Sequence, residues 1–174
     1  MNADIRKDVI AALFAAMTAI FTQLVIPIQP VPITLGTMAV LMAGAVLGHR
    51  HGALAMLIYV LLGAAGLPVF AMARGGASVI AGPGGGFILG YIATAFVVGL
   101  LTEKWGHSFR VLALSMAAGC LTVYLCGLVW FIGLTGTGIV PAMAMCMFPF
   151  LPGDVVKVLL GAFLVGRYRR YIRL

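Results

Sequence analysis

Acidic residues are almost absent from this chain, and charge of either sign is scarce. Only 4 of the 174 residues are Asp or Glu, and charged residues of all kinds make up 9%, whereas soluble domains carry about a quarter. Hydrophobic residues reach 63%, and the mean hydropathy is +1.17. A chain this apolar cannot cover itself with a polar surface, so its composition predicts an integral membrane protein.

Sequence signatures of catalysis and metal binding are missing as well. No G-x-x-x-x-G-K-[ST] segment occurs, which excludes ATP hydrolysis by the P-loop route. No Ser/His/Asp set and no paired carboxylates fall at membrane depth, so we expect a protein that is not an enzyme. Cys120, Cys126 and Cys146 form no C-x-x-C pair and have no histidine at ligand spacing. We therefore expect buried apolar thiols, with no metal site and no cofactor.

Proline, glycine and charged residues divide the chain into six apolar segments. At roughly 20 residues per membrane span, a chain of this length suits about six spans and short connections. We predict an all-α membrane protein that forms a single domain over residues 1–174, with six transmembrane helices. The predicted spans are residues 9–26, 33–48, 52–66, 84–102, 109–134 and 149–166.

Basic residues gather on one side of these spans. If the N-terminus is cytoplasmic, only Arg74 falls outside, and Lys157 lies within the sixth span. Because basic residues favour the cytoplasmic side, we predict that both termini are cytoplasmic. Anionic lipid stabilises such helix ends, so the net charge of +7 does not indicate nucleic-acid binding. The inner residues are Arg6, Lys7, Arg50, Lys104, Arg110, Arg167, Arg169, Arg170 and Arg173.

The connections predicted on the outer side differ in composition from those inside. Residues 26–33, 67–83 and 133–149 are rich in proline and glycine and nearly uncharged. Irregular backbone at membrane depth needs protein or water against it. We therefore expect these segments to cover an outward-facing ligand cavity.

The segment FLPGDVVKVLLGAF, residues 150–163, holds an acid and a base within an apolar run. Asp154 follows Pro152-Gly153 near a helix start, where the helix dipole favours a carboxylate, so a helix cap alone would explain it. Lys157 falls near the middle of the span, where a charge costs about 3 kcal/mol or more. The i, i+3 spacing puts both groups on one helical face. We predict a polar ligand site, and a structural ion pair is the alternative.

Two further segments could contact a ligand. Arg74 is either a solvated surface arginine or a group at the cavity mouth that binds a carboxylate. Residues 82–86, Gly-Pro-Gly-Gly-Gly, begin the fourth span. Their backbone N–H groups could bind a ligand oxygen at a helix N-terminus, although tight turning would also explain the glycines.

Alanines recur at four-residue intervals along the first span. Rows of small residues allow helices to approach closely in lipid. The spacing alone leaves open whether the neighbour is a helix of this chain or of a partner protein. The residues are Ala11, Ala12, Ala15, Ala16 and Ala19.

Three motifs together resemble the BioY family of biotin transporters, the substrate-binding (S) components of energy-coupling-factor (ECF) transporters. They are Pro30-Val-Pro-Ile-Thr-Leu35, Gly75-Gly-x5-Gly-Pro-x-Gly-Gly86 and Pro152-Gly-Asp-Val-Val-Lys157. The resemblance extends over nearly the whole chain. It implies a six-helix protein of a prokaryotic cell membrane that binds biotin with high affinity in an outward-open cavity and mediates its uptake.

The resemblance also implies partners: a transmembrane coupling protein and ATP-binding-cassette subunits, contacted through the alanine row. For the ligand we expect Asp154 to accept the ureido N–H bonds, Lys157 to donate to the ureido oxygen, and Arg74 to meet the carboxylate. The reverse orientation, with the carboxylate on Lys157, remains open, as does a different vitamin as the ligand. Further contacts are expected from Thr34, Phe87, Tyr91, Gly85 and Gly86.

Overall fold

The computed structural model describes residues 3–168, and the side chains of residues 5–168. The chain is mostly helical, which agrees with the predicted fold class. A two-stranded antiparallel hairpin, β1 (Val25–Ile26) and β2 (Ile33–Thr34), joins α1 to α2, and a short 3-10 turn occupies Ala71–Ala73. The helices α1 to α7 are Ala3–Gln23, Gly36–Ala64, Ala77–Ala81, Gly85–Trp105, Phe109–Thr135, Ile139–Cys146 and Leu151–Tyr168.

Helix α2 consists of two helical halves that fold back on each other at Gly48. Gly48 has φ 79° and ψ −179°, a conformation that glycine adopts without steric cost. A Cβ on Gly52 would lie 2.9 Å from the Cα of Gly44, although eight residues of straight helix span about 12 Å. The predicted connection at residues 49–51 is therefore helical, because a single glycine reverses the chain just before it.

The apolar helices are consistent with a membrane protein. Within residues 3–168, α2, α4 and α5 are long and apolar enough to cross a membrane, and α6 and α7 would add a fourth span if this pair, bent by 54°, is one span. A count of six spans requires α1, α7 and each half of α2 to cross separately. The six-span topology remains a prediction.

The helices approach one another closely through glycine. Helix α2 packs against α1, α4 and α7, and α5 packs between α4 and α7. A Cβ on Gly44 would lie 2.5 Å from the carbonyl oxygen of Ala95, and one on Gly99 would lie 2.3 Å from the backbone nitrogen of His49. Small residues at such crossings bring helix backbones into van der Waals contact in an apolar solvent.

The two ends of the helical bundle differ in composition. At one end, here called the basic end, His51 Nε2 lies 3.8 Å from Asp8 Oδ1, and His49 contacts Glu103. The start of α1, the turn of α2 and the end of α4 therefore meet, which gathers Arg6, Lys7, Arg50 and Lys104 there. Arg169, Arg170 and Arg173 lie outside the described residues. The other end, here called the cavity end, carries the β-hairpin and the connection between α2 and α4.

The predicted outer segment 133–149 differs from expectation. Helix α5 continues to Thr135, and α6 occupies Ile139–Cys146, so much of the segment is regular. Pro141 falls in the first turn of α6, where a helix does not need the missing N–H. No residue of this segment lines the cavity described below, so the prediction that it covers the cavity is wrong.

Candidate functional site

A cavity of about 430 Å³ opens at the cavity end, among α1, α2, α4, α5 and α7. Small-molecule sites commonly have volumes of about 300–1,000 Å³. Two of the predicted outer segments form its mouth: residues 30–32 of the β-hairpin, and residues 70–84, which contribute Phe70, Ala71 and Arg74 among others. The volume suits one small organic molecule.

Aromatic side chains form much of the cavity wall. Tyr59, Phe70, Phe87, Tyr91 and Phe150 all line it and are at most 8% exposed. The Tyr59 ring meets the Phe70 ring edge-on with centroids 5.6 Å apart, and it lies 6.2 Å from the Tyr91 ring. Aromatic rings packed in this way offer large rigid apolar faces to a ligand.

Asp154 is the buried charged group that lines the cavity, whereas Arg74, which also lines it, is exposed. It stands in the first turn of α7 and is 6% exposed. The Nζ of Lys157 donates to Asp154 Oδ1 at 2.8 Å, and the Tyr124 hydroxyl of α5 donates to Oδ2. Lys157 does not itself line the cavity. It lies one turn further along α7, 5% exposed, and neutralises the carboxylate that does.

This buried pair keeps hydrogen-bonding capacity that the protein does not use. A carboxylate has about four lone-pair positions and an ammonium group has three donors. Among the described residues, the Asp154 carboxylate accepts only the bonds from Tyr124 and Lys157, and Lys157 donates only one. Because buried charges are costly unless fully hydrogen-bonded, the pair is suited to a ligand that carries both donors and an acceptor.

The structure brings most of the predicted ligand residues together: Lys157 does not line the cavity but contacts Asp154, and two glycines lie outside the cavity lining. Arg74, Thr34, Phe87 and Tyr91 all line the cavity with Asp154. Gly85 and Gly86 do not. A Cβ on Gly85 would lie 1.7 Å from the carbonyl oxygen of Ile80, and one on Gly86 would lie 2.2 Å from the Cβ of Trp130. These glycines are therefore required for close packing of the backbone.

Several lining residues were missed by the sequence analysis. Thr22, Thr37, Tyr59 and Tyr124 contribute hydroxyl groups to the cavity surface. One signal was available: Tyr124 is the only tyrosine of the fifth predicted span, and a buried tyrosine hydroxyl usually has a hydrogen-bond partner.

The alanine row of α1 divides between two faces. Ala11 and Ala15 are 0% and 2% exposed and belong to the buried core, on a helix that packs against α2. Ala12 and Ala16 are exposed, and Ala19 is partly buried. Of the alanine row, only Ala12 and Ala16 lie on an exposed face that another protein could contact.

Fold and cavity together define a helical membrane protein with an internal site for a small ligand that has a polar group and an apolar body. The BioY family model matches residues 1–174, and the chain belongs to the BioY family. This confirms the resemblance carried by the three sequence motifs.

Relatives and a solved structure agree with this membership. The biotin transporter BioY of Thermotoga maritima is 39% identical over 95% of this chain and 96% of its own length. The biotin transporter BioY of Rhizobium etli is 41% identical over 93% of this chain and 91% of its own length. The crystal structure at 2.1 Å of the S-component for biotin from an ECF-type ABC transporter matches with a TM-score of 0.89 and 27% identity, covering 98% of this chain and 95% of that one. The family is one of transporters, which supports the prediction that the chain is not an enzyme.

Proposed function

We propose that this chain is the membrane-embedded biotin-binding S component of an ECF-type transporter and mediates biotin uptake with high affinity. The observation that carries the proposal is the Asp154–Lys157 pair at the cavity, with unused hydrogen-bonding capacity on both side chains. Relatives named as biotin transporters and the likeness to a biotin S-component support it.

The chemistry of biotin matches the cavity. Its ureido ring has two N–H donors and one carbonyl acceptor, which complement the free acceptor positions of Asp154 and the free donors of Lys157. The sulfur-containing ring and the aliphatic chain pack against the aromatic wall, aided by Thr34, Phe87 and Tyr91. Arg74 receives the terminal carboxylate. Its Nε donates to the carbonyl oxygen of Ala71 at 3.3 Å, which leaves the terminal nitrogens for bidentate binding.

The best test of the ligand is a thermal-shift panel on detergent-purified protein with biotin, biotin methyl ester, thiamine and riboflavin. Biotin at 100 times its Kd should stabilise the folded protein by about 2.7 kcal/mol. The ester should shift the melting temperature less, because it cannot pair with Arg74. A shift with thiamine or riboflavin and none with biotin would contradict the proposal and support an S component for another vitamin.

Ligand orientation is tested by the same panel on an Arg74→Ala variant. If Arg74 binds the carboxylate, biotin and its methyl ester should stabilise this variant equally. If the carboxylate instead binds Lys157, the variant should discriminate against the ester as strongly as the wild type does.

We also propose a topology of six spans in the cytoplasmic membrane, with both termini in the cytoplasm and the cavity open to the outside. The positive-inside rule supports this orientation, because Arg6, Lys7, Arg50 and Lys104 gather at the basic end. Arg74, the one basic residue of the outer connections, lies at the cavity mouth.

Energy for uptake is proposed to come from ATP-binding-cassette subunits through a transmembrane coupling protein. The exposed face of α1 with Ala12 and Ala16 is the proposed contact, whereas Ala11 and Ala15 are buried in this chain's own core. Ala16→Trp should abolish copurification with the ATP-binding-cassette subunits and leave biotin binding intact. Leu121→Trp, at a residue of α5 that is 63% exposed, is the control. Equal copurification of both variants would exclude this face.

A further inference from the structure

Gln23, the last residue of α1, forms hydrogen bonds with the loop at one side of the cavity mouth. Its Nε2 donates to the carbonyl oxygen of Phe70 at 3.1 Å and lies 3.5 Å from that of Pro68. Its Oε1 accepts a hydrogen bond from the backbone N–H of Ala73 at 2.9 Å. One side-chain amide therefore contacts both ends of the turn between residues 70 and 73.

The loop that Gln23 contacts has an unfavourable backbone conformation. Met72 has φ 61° and ψ 36°, and the adjacent Ala73 has φ 53°. Residues other than glycine avoid this left-handed region because the Cβ crowds the backbone. Such conformations persist only where the surroundings hold them. Here the holding contacts include the Phe70 N–H bond to the carbonyl oxygen of Arg74 at 2.9 Å, the Arg74 Nε bond to the carbonyl oxygen of Ala71 and the amide of Gln23.

The same loop supplies part of the cavity wall. Phe70, Ala71 and Arg74 line the cavity, and Phe70 is only 1% exposed. The Arg74 side chain is bonded through Nε to the carbonyl oxygen of Ala71. The placement of both side chains therefore depends on the backbone of residues 70–74, and Gln23 is the side chain from α1 that contacts that backbone.

We propose that Gln23 is a positioning residue that holds the loop of residues 70–74 against the cavity and thereby slows ligand release. With biotin as the ligand, this inference rests on the proposed function. Because Gln23 belongs to α1, a shift of α1 relative to the rest of the bundle would withdraw its amide from the loop. The helix with the exposed Ala12 and Ala16 face is thus linked to the cavity mouth.

A matched pair of substitutions tests this role. Gln23→Leu keeps the approximate size of the side chain and removes both its donors and its acceptor. Gln29→Leu makes the same chemical change in the β-hairpin, at an exposed residue that does not line the cavity and has no hydrogen bond among the described residues. Gln23→Leu should speed dissociation of biotin from the detergent-purified protein about tenfold, as expected for two lost hydrogen bonds. Gln29→Leu should leave the rate unchanged.

Hydrogen exchange gives a second readout that needs no ligand. In the ligand-free protein, the Ala73 amide should exchange faster in Gln23→Leu than in the wild type, because its acceptor is gone. In Gln29→Leu, the exchange of this amide should match the wild type. If the wild type fails to bind biotin, the proposed function fails, and the exchange measurement still decides whether Gln23 holds the loop.

Three results would overturn the inference. Dissociation from Gln23→Leu at the wild-type rate would exclude a role in ligand release. Unchanged exchange of the Ala73 amide would show that the loop is held by other contacts. A lower yield of folded protein with an unchanged release rate would mean that Gln23 supports only the fold, since the release rate reports solely on molecules that have bound ligand.

Discussion

The polar groups at the basic end and at the cavity end of the bundle differ in how deeply they are buried. At the basic end, Glu103 accepts a hydrogen bond from the His49 backbone N–H at 3.2 Å, and its second oxygen lies 2.5 Å from the Nδ1 of the same residue. At the cavity end, Asp154 and Lys157 are more deeply buried but keep unused acceptors and donors. Each carboxylate accepts two hydrogen bonds, so the difference lies in burial. Glu103 is exposed to water at a tight turn, which indicates a structural contact, whereas Asp154 is buried beside a cavity, where its unused acceptor positions indicate a ligand site.

The two ends also differ in the space around individual glycines. At the basic end, a Cβ on Gly48 would lie 1.9 Å from Glu103 Oε1, so the turn is filled. At the cavity end, nothing lies within 4 Å of a Cβ on Gly84, which lines the cavity. Gly48 allows the turn of α2 to close against Glu103, whereas Gly84 leaves volume beside the cavity. The comparison predicts that changes at the basic end affect stability, and changes at the cavity end affect ligand binding.

The largest expected effect comes from removing one partner of the buried ion pair. Lys157→Met should destabilise the protein by about 3–5 kcal/mol, because it leaves the Asp154 carboxylate buried without a counter-charge. The double variant Asp154→Asn with Lys157→Met should regain most of that stability, since no buried charge remains. It should still bind biotin at least about 100-fold more weakly, as hydrogen bonds to a charged group contribute about 1.5–3 kcal/mol each. Thermal unfolding and equilibrium binding in detergent measure the two effects.

The double variant separates a structural lock from a ligand site. If the ion pair only stabilises the fold, the folded double variant should bind biotin with the wild-type affinity. That result would exclude Asp154 and Lys157 from the ligand site.

A change at the turn of α2 should affect stability alone. Gly48→Ala places a Cβ residue in a backbone region that is essentially restricted to glycine, at a cost of about 1–3 kcal/mol, and it also displaces Glu103. The biotin Kd of the folded protein should remain unchanged. Gly133→Ala, inside α5 with no atom within 4 Å of the new Cβ, should be neutral or stabilising by up to about 1 kcal/mol. A weaker biotin affinity in Gly48→Ala would mean that the two ends are not independent.

Tyr124 offers a smaller change at the cavity end. Tyr124→Phe removes the hydroxyl that donates to Asp154 Oδ2 and should weaken biotin binding about tenfold or more, because the bond is to a charged acceptor. Tyr59→Phe is the comparison, since the Tyr59 hydroxyl lies 3.2 Å from the carbonyl oxygen of Val69 and 3.3 Å from Thr22 Oγ1. Because the Tyr59 hydroxyl contacts only neutral groups, Tyr59→Phe should weaken biotin binding less than Tyr124→Phe does. An equal loss in both variants would contradict a special role for the contact between Tyr124 and Asp154.

The sequence predicted the helices better than the connections between them. Helices α4, α5 and α7 begin and end within a few residues of the corresponding predicted spans, because glycine and proline bound long apolar runs there. The reversal between the second and third predicted spans was expected at residues 49–51, but it takes place at Gly48 and residues 49–51 are helical. Proline and glycine in residues 133–149 suggested an irregular segment, although Pro141 falls where a helix tolerates it.

Apart from the family resemblance, the site was predictable mainly where a residue type is costly in itself. A charge in an apolar run must have a function or a partner, which identified Asp154 and Lys157. Tyr124 carries no such penalty in sequence, and its contact with Asp154 depends on how α5 and α7 are rotated against each other. Spacing likewise identified the alanines of α1, but not which of Ala11 and Ala12 faces inward, because neighbouring rows both contain alanine.

The smallest expected effect is at the contact between His49 and Glu103, where it tests the comparison most sharply. Glu103→Gln keeps an oxygen to accept the His49 backbone N–H and removes the charge. The Glu103 side chain is 44% exposed, so solvent screens the interaction, and the loss of stability should stay within about 1 kcal/mol. Biotin affinity should not change, because this contact lies at the opposite end of the bundle from the cavity. Biotin titration of Glu103→Gln beside Tyr124→Phe gives the decisive contrast. A charge removed at the basic end should affect binding less than a neutral hydroxyl removed beside Asp154, and the reverse order would refute the division of the bundle into a structural end and a binding end.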